Sequence, residues 1–165
     1  MLTPERIQEL FDYDPATGNL IWRVGRRGRF ARPGVIAGNR KRYVMVSIDC
    51  KTYAVHRVIW LLHYGHLPDE IDHVNQDKTD NRLENLRVCS RSENTGNVGL
   101  RSTNTSGHRG VWFVEHCGRW RASIKENGKS RHLGYFDTIE DASRAYNKAA
   151  IDYFGRFACL NKVQD

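Results

Sequence analysis

Residues 119–128 read R-W-R-A-S-I-K-E-N-G, and no other stretch of the chain leaves so few ways to fold. Arg119, Arg121, Ser123 and Lys125 alternate with Trp120, Ala122 and Ile124. Successive side chains of a strand point to opposite faces, so one face is basic and the other is core. Asn127-Gly128 marks a two-residue hairpin turn. Residues 109–116 supply a preceding strand and residues 129–136 a following one. Thr138, with Asp141 three residues on, then caps a helix that Gly155 ends. Ala142, Ala145, Tyr146, Ala149 and Tyr153 fall on one face of that helix, and small alanines let it lie close to the sheet. The pattern predicts a three-stranded antiparallel sheet with one packed helix behind and a positive front. A small sheet of this kind fits the DNA major groove, where Arg and Lys reach guanine acceptors.

The rest of the chain is expected to be α+β as well. Thr3-Pro4 opens a short helix through residues 10–11. Residues 14–18 form a turn, and residues 19–24 alternate as a strand. Five arginines then fall within ten residues: Arg23, Arg26, Arg27, Arg29 and Arg32. Such a segment cannot bury itself, and it is read as a loop that grips phosphates. Residues 35–37, 43–48 and 52–55 read as strands. Residues 56–64 read as a helix with a buried face of Val58, Ile59, Leu61 and Leu62. Residues 98–107 are small and polar and read as an interdomain linker.

Charge is placed to match. The chain of 165 residues carries a net charge of +7. By segment, residues 1–50 are +4, residues 51–106 are neutral and residues 107–165 are +3. Two basic flanks around a balanced centre suit a polyanion partner, because Lys and Arg bound to phosphate release counterions. With 39% hydrophobic residues the chain has enough apolar content for packed cores. No apolar run approaches the ~18 residues of a membrane helix. The N-terminus lacks a signal core. Cys50, Cys89, Cys117 and Cys159 form no C-x-x-C pair, so neither a zinc ribbon nor a disulfide scaffold is indicated. A cytoplasmic, monomeric protein is expected. His56, His63 and His66 fit no common zinc spacing, although His56 could support a neighbouring site.

Between the basic flanks lies I-D-H-V-N-Q-D-K-T-D-N-R-L-E-N-L-R-V-C-S-R-S-E-N-T-G-N, residues 71–97. Asp72 offers a hard anionic oxygen for a metal ion. His73 is a natural general base, because imidazole titrates near neutral pH. Asn85 could staple the loop and fix the tautomer of His73. Ser90-Arg91-Ser92-Glu93 is a capping box that starts a helix, and Asn94 lies in its first turns as a second oxygen ligand. Asn97 is either a phosphate contact or a competitor for that ligand role, and Arg87 is a further candidate. Asn75, Asp77, Asp80 and Asn81 read as turn residues. An oxygen-only ligand set favours Mg²⁺ or Mn²⁺ over zinc. An EF-hand is excluded, because Asp80 and Leu86 fall where its glycine and glutamate belong.

Two resemblances sharpen this reading. Residues 10–97, through A-V-H-R-V-I-W-L-L-H-Y-G, I-D-H, D-N-R-L-E-N-L-R and S-E-N-x-x-N, resemble the HNH (ββα-metal) endonucleases, particularly those of phages and mobile introns. That resemblance implies His73 as general base, Asp72 and Asn94 as metal ligands and Asn85 as the residue orienting the base. It departs from the family in having Asn94 where histidine is usual. Residues 104–161, through R-G-V, W-R-A-S-I-K, H-L-G-Y-F-D-T, A-x-x-A-Y and F-A-C-L-N, resemble AP2-type DNA-binding domains. That resemblance implies Arg109, Arg121, Ser123, Lys125 and His132 on the DNA face, with Trp112 where plant members usually have a second arginine. Arg119 extends the same basic face. Arg131 falls on the inward side and is expected to snorkel outward.

The expected organisation is an HNH endonuclease domain over 1–97, a linker over 98–106 and an AP2-like domain over 107–161. The expected function is a DNA endonuclease acting on double-stranded DNA with one divalent metal. A DNA-binding regulator with a vestigial nuclease site is the alternative. An RNA-binding role is set lower, because a charged sheet without exposed stacking aromatics suits duplex DNA better.

Overall fold

The computed structural model describes residues 2–25, 31–40, 42–100, 102–126 and 128–163. Arg26, Arg27 and Arg29 of the arginine loop, and Asn127 of the hairpin turn, lie outside the described residues. The described residues form a mixed α/β structure of small antiparallel sheets and four α-helices. They divide into two compact units, Met1–Cys89 and Ser90–Asp165. No helix among them is long and apolar enough to cross a membrane.

In the first unit, helix α1 (Pro4–Leu10) starts where Thr3 Oγ1 accepts from the Arg6 backbone N–H. Strands β1 (Phe11–Asp14) and β2 (Asn19–Trp22) pair antiparallel. The Asp14 carboxylate accepts from Ala16 N–H and Thr17 Oγ1 and so holds their turn. Residues 35–37, expected as a strand, contribute a single bridge from Ile36 to Ile21. Strands β3 (Asn39–Arg40), β4 (Val44–Ile48) and β5 (Lys51–Ala54) form a three-stranded sheet. Helix α2 (Val55–Tyr64) buries Val55, Val58 and Ile59 and ends on Gly65 in the left-handed region. These residues form one core with Ile7, Leu20 and Ile48. Strands β6 (Glu70–His73) and β7 (Leu86–Cys89) complete the unit as a hairpin.

In the second unit, helix α3 (Arg91–Gly96) opens on the expected capping box of Ser90 and Glu93. Gly96 lies flush on Phe154: a Cβ there would stand 2.6 Å from Phe154 Cγ. Strands β8 (Val111–Val114), β9 (Arg119–Glu126) and β10 (Lys129–Phe136) form an antiparallel sheet with β9 in the middle. Helix α4 (Ile139–Phe154) starts at Thr138, whose Oγ1 accepts from Asp141 N–H. The first strand is shorter than expected, because a 3-10 turn over Glu115–Cys117 ends it. Ala122, Ile124, Ala142, Tyr146 and Ala150 are buried between sheet and helix.

Candidate active site and nucleic-acid interface

Strand β6 delivers Asp72 and His73 as neighbours. Across the hairpin Asp72 pairs with Arg87 and His73 with Leu86. Ile71 and Leu86 pack with Trp60 of α2, which seats the hairpin. Arg87 donates to Asp72 Oδ2 from Nε at 2.9 Å and from Nη2 at 2.8 Å. Asp72 is 6% exposed, so this partner offsets the cost of burying a carboxylate.

His73 is 3% exposed. Its ring meets His56 of α2 edge-on at 4.9 Å and Tyr43 at 6.2 Å. Lys78 Nζ stands 4.8 Å over the Tyr43 ring. Burial lowers the His73 pKa from the ordinary histidine value, while the bond to Asn81 and the charge of Asp72 oppose the shift. His56 is pushed down to about 3 by burial, then by the nearby His73 and Arg57. Its Nδ1 is buried without a hydrogen-bond partner among the described residues.

The loop from Val74 to Asn81 folds over this site, turning at Gln76 with φ +66°. Asn85 staples it. Its Oδ1 accepts from Asn75 N–H at 3.0 Å, its Nδ2 donates to the Asp80 carbonyl at 2.8 Å, and its own carbonyl accepts from Val74 N–H at 2.8 Å. The side chain on His73 is that of Asn81, whose Oδ1 lies 3.2 Å from Nε2. By residue type Asn81 is only a turn residue, yet it is 2% exposed. A polar side chain so deeply buried inside an otherwise polar loop is not signalled by residue type or spacing. The backbone beside it is supported from the N-terminal hairpin: a Cβ on Gly18 would stand 2.4 Å from Arg82 N and 2.6 Å from the Asn81 carbonyl carbon. Tyr13 Oη accepts from Leu83 N–H at 3.1 Å.

Among the described residues no group of three or more His, Cys, Asp and Glu side chains gathers to hold a metal ion. Asp72 supplies one hard carboxylate oxygen. A Mg²⁺ site needs no more than one or two carboxylates, because water and substrate phosphate complete it.

The second unit holds the predicted residues from Asn94 onward. Asn94 lies on α3 and Asn97 is its C-cap, 7% exposed. On the sheet, Arg121 stands between two rings, 5.1 Å from Trp112 and 5.9 Å from Tyr135, and its Nε donates to His132 Nδ1 at 3.2 Å. Trp112 is 38% and Tyr135 41% exposed. The expectation of a sheet without exposed stacking aromatics is therefore incorrect: the strand register sets both beside Arg121 on the basic face. Arg119 is paired with Asp137 at 2.9 Å. Arg131 turns to Tyr153 of α4, to which its Nη1 donates. Arg109 is tied through its backbone to the Asn161 side chain, and its Nη1 is buried without a partner among the described residues. It lines a cavity of about 480 Å³ with Leu100, Ser123 and Lys125.

Known proteins are similar to the chain in both its central and its C-terminal region. A family model described as HNH endonuclease matches residues 53–95. An uncharacterized HNH endonuclease of Acanthamoeba polyphaga mimivirus is 31% identical over 121 residues, covering 72% of this chain and 62% of that protein. Protein 3.8 of Escherichia phage T7 is 28% identical over 105 residues, covering 62% of this chain and 86% of that protein. An AP2-like ethylene-responsive transcription factor of Arabidopsis thaliana is 44% identical over 59 residues, 36% of this chain but 12% of that protein. The chain thus spans less than two thirds of the mimivirus relative and a small part of the plant one. No solved structure matches it. Residues 53–95 thus match the HNH endonuclease family model, and the C-terminal region is similar to AP2-like proteins.

Proposed function

We propose that the protein is an endonuclease that hydrolyses phosphodiester bonds of double-stranded DNA. The observation that carries this reading is the pair of consecutive buried residues on β6: a carboxylate held by Arg87 and a histidine held by a polar loop, inside the segment that matches the HNH model. In this reading residues 1–97 act as the nuclease domain, residues 98–106 as linker and residues 107–161 as the AP2-like DNA-binding domain.

Asp72 and Asn94 would hold one Mg²⁺ (or Mn²⁺). When bound, that ion neutralises charge building on the phosphate and stabilises the leaving oxygen. His73 takes a proton from water as the water oxygen attacks phosphorus and the ester oxygen leaves. Asn85 keeps the loop over His73 in place. His56 supports the His73 ring, and Arg87 orients Asp72. Arg109, Trp112, Arg121, Ser123, Lys125 and His132 present the recognition face, with Arg119 at its end and Asn97 as a further phosphate contact. Arg26, Arg27 and Arg29 add phosphate contacts from the N-terminal region. The assignment to duplex DNA draws on the AP2-like homology and on the basic sheet, since exposed aromatics alone would equally suit single strands.

The test is incubation of the full chain with plasmid DNA and Mg²⁺. Wild type should introduce breaks. His73→Ala should lose about 10²- to 10⁴-fold in cleavage rate while binding DNA as before. A variant that cuts at the wild-type rate would remove His73 from the mechanism. A wild type that binds but never cuts would leave a DNA-binding regulator as the function.

A further inference from the structure

The loop from Val74 to Asn81 carries a single cation, Lys78, between two carboxylates, Asp77 and Asp80. Both carboxylates are already engaged. Asp77 Oδ1 accepts from Thr79 N–H at 2.8 Å and from Thr79 Oγ1 at 2.7 Å. Asp80 is gripped by Arg82, Nη2 to Oδ2 at 2.7 Å and Nε to Oδ1 at 2.9 Å, and its Oδ2 also accepts from Asn75 Nδ2 at 2.8 Å. Among the described residues Lys78 meets no carboxylate. It is half-buried, and its Nζ stands 4.8 Å over the ring of Tyr43. That ring lies 5.5 Å from His56 and 6.2 Å from His73. The negative face of an aromatic ring orients an ammonium but leaves its full charge in place.

The arginines around the site are committed elsewhere. Arg87 holds Asp72, Arg82 holds Asp80 and Glu84, and Arg57 donates to the carbonyls of Pro68 and Asp69. Lys78 is thus a cation beside the base with no anion to neutralise it, on a loop whose place is set by the Asn85 staple. We propose that Lys78 is a substrate-positioning residue: its ammonium, seated on Tyr43, binds a phosphate oxygen of the strand being cut, next to the phosphate that faces His73. This deepens the nuclease reading above and rests on it. A compact ammonium with three donors suits a phosphate and reads no base, so the contact fixes the register of the strand and carries no sequence preference. Because it is made to a phosphate beside the reacting one, it is equally strong before and during the reaction.

The experiment is titration of the full chain with duplex DNA at several salt concentrations, in EDTA so that binding is read without cleavage. Lys78→Gln should weaken binding by up to about 5-fold at low salt and reduce the slope of log affinity against log salt by about one. Lys78→Arg, which keeps the charge, should hold the wild-type slope. In Mg²⁺-dependent plasmid cleavage the loss in Lys78→Gln should fall on KM rather than kcat. A Lys78→Gln protein with the wild-type slope overturns the proposal, and so does a Lys78→Arg protein with a slope as low as that of Lys78→Gln. A loss confined to kcat also overturns it, since that would put Lys78 on the reacting phosphate. If wild type binds DNA but never cuts, the nuclease reading fails, while the salt slopes still decide whether Lys78 holds a phosphate. A wild type that binds no DNA ends both.

Discussion

His56 and His73 meet edge to face with ring centroids 4.9 Å apart, and two positive rings at that distance would repel strongly in a buried site. Burial lowers both rings from the ordinary histidine value, His56 to about 3, and so disfavours charge on the pair. The consequence for stability follows from proton counting. Unfolded His56 takes a proton near pH 6.5, whereas folded His56 holds none until about pH 3. Below pH 6.5 the unfolded chain therefore binds more protons, and stability falls as the solution is acidified toward pH 3. His56→Leu should remove one proton's share of that slope, up to about 1.4 kcal/mol per pH unit, in urea unfolding measured across this range. An equal slope in variant and wild type would assign the effect to other groups. Asp72 and His73 are legible in the sequence because a carboxylate beside a histidine is a chemical pattern. Asn81 is not, because what separates it from Asn75 or Asp77 is where the loop puts it. That is fixed by the turn at Gln76 and the Asn85 staple, which no local pattern encodes.

Strand β9 is legible because its two faces meet different surroundings, so its residues alternate between basic and apolar. Strand β7 is not: Leu86, Arg87, Val88 and Cys89 have no such alternation, with Leu86 and Cys89 buried and Val88 46% exposed. Its partner and register come from the pairing with β6. The strand over 43–48 and the helix over 56–64 match β4 and α2 to within a residue at their starts. Arginines 26, 27 and 29 fall outside the described residues, so their place as phosphate contacts stays with the proposal. The turn joining β1 to β2 shows how elements support each other. Gly18 has φ +72°, and a Cβ there would meet the backbone of Asn81 and Arg82 rather than a side chain that could swing away. Gly18→Ala should therefore combine left-handed strain with displacement of the loop and cost at least about 2 kcal/mol of stability. Thermal unfolding reads the loss, and an undiminished Tm would mean that the turn and loop do not press on each other. The same variant should disturb the His73 ring signals, although it lies far from them in sequence.

At the scale of the whole molecule, charge is partitioned by segment: basic in residues 1–50 and 107–165, neutral in between. Affinity for DNA should therefore depend steeply on salt. Arg121→Ala with Lys125→Ala should weaken binding and reduce the slope of log affinity against log salt by about one for each phosphate left without its cation. Titrations at several salt concentrations measure it, and an unchanged slope would move the DNA surface off this sheet. The support given by the N-terminal hairpin carries a different kind of consequence. The recognisable family segment starts at residue 53. Its loop nevertheless leans on Gly18, and its Leu83 N–H is bonded to Tyr13. The segment is thus not a portable cassette. A graft of residues 53–95 into another scaffold would import Asp72 and His73 without the brace on their loop, and domain shuffling can preserve this arrangement only by moving the hairpin along with it.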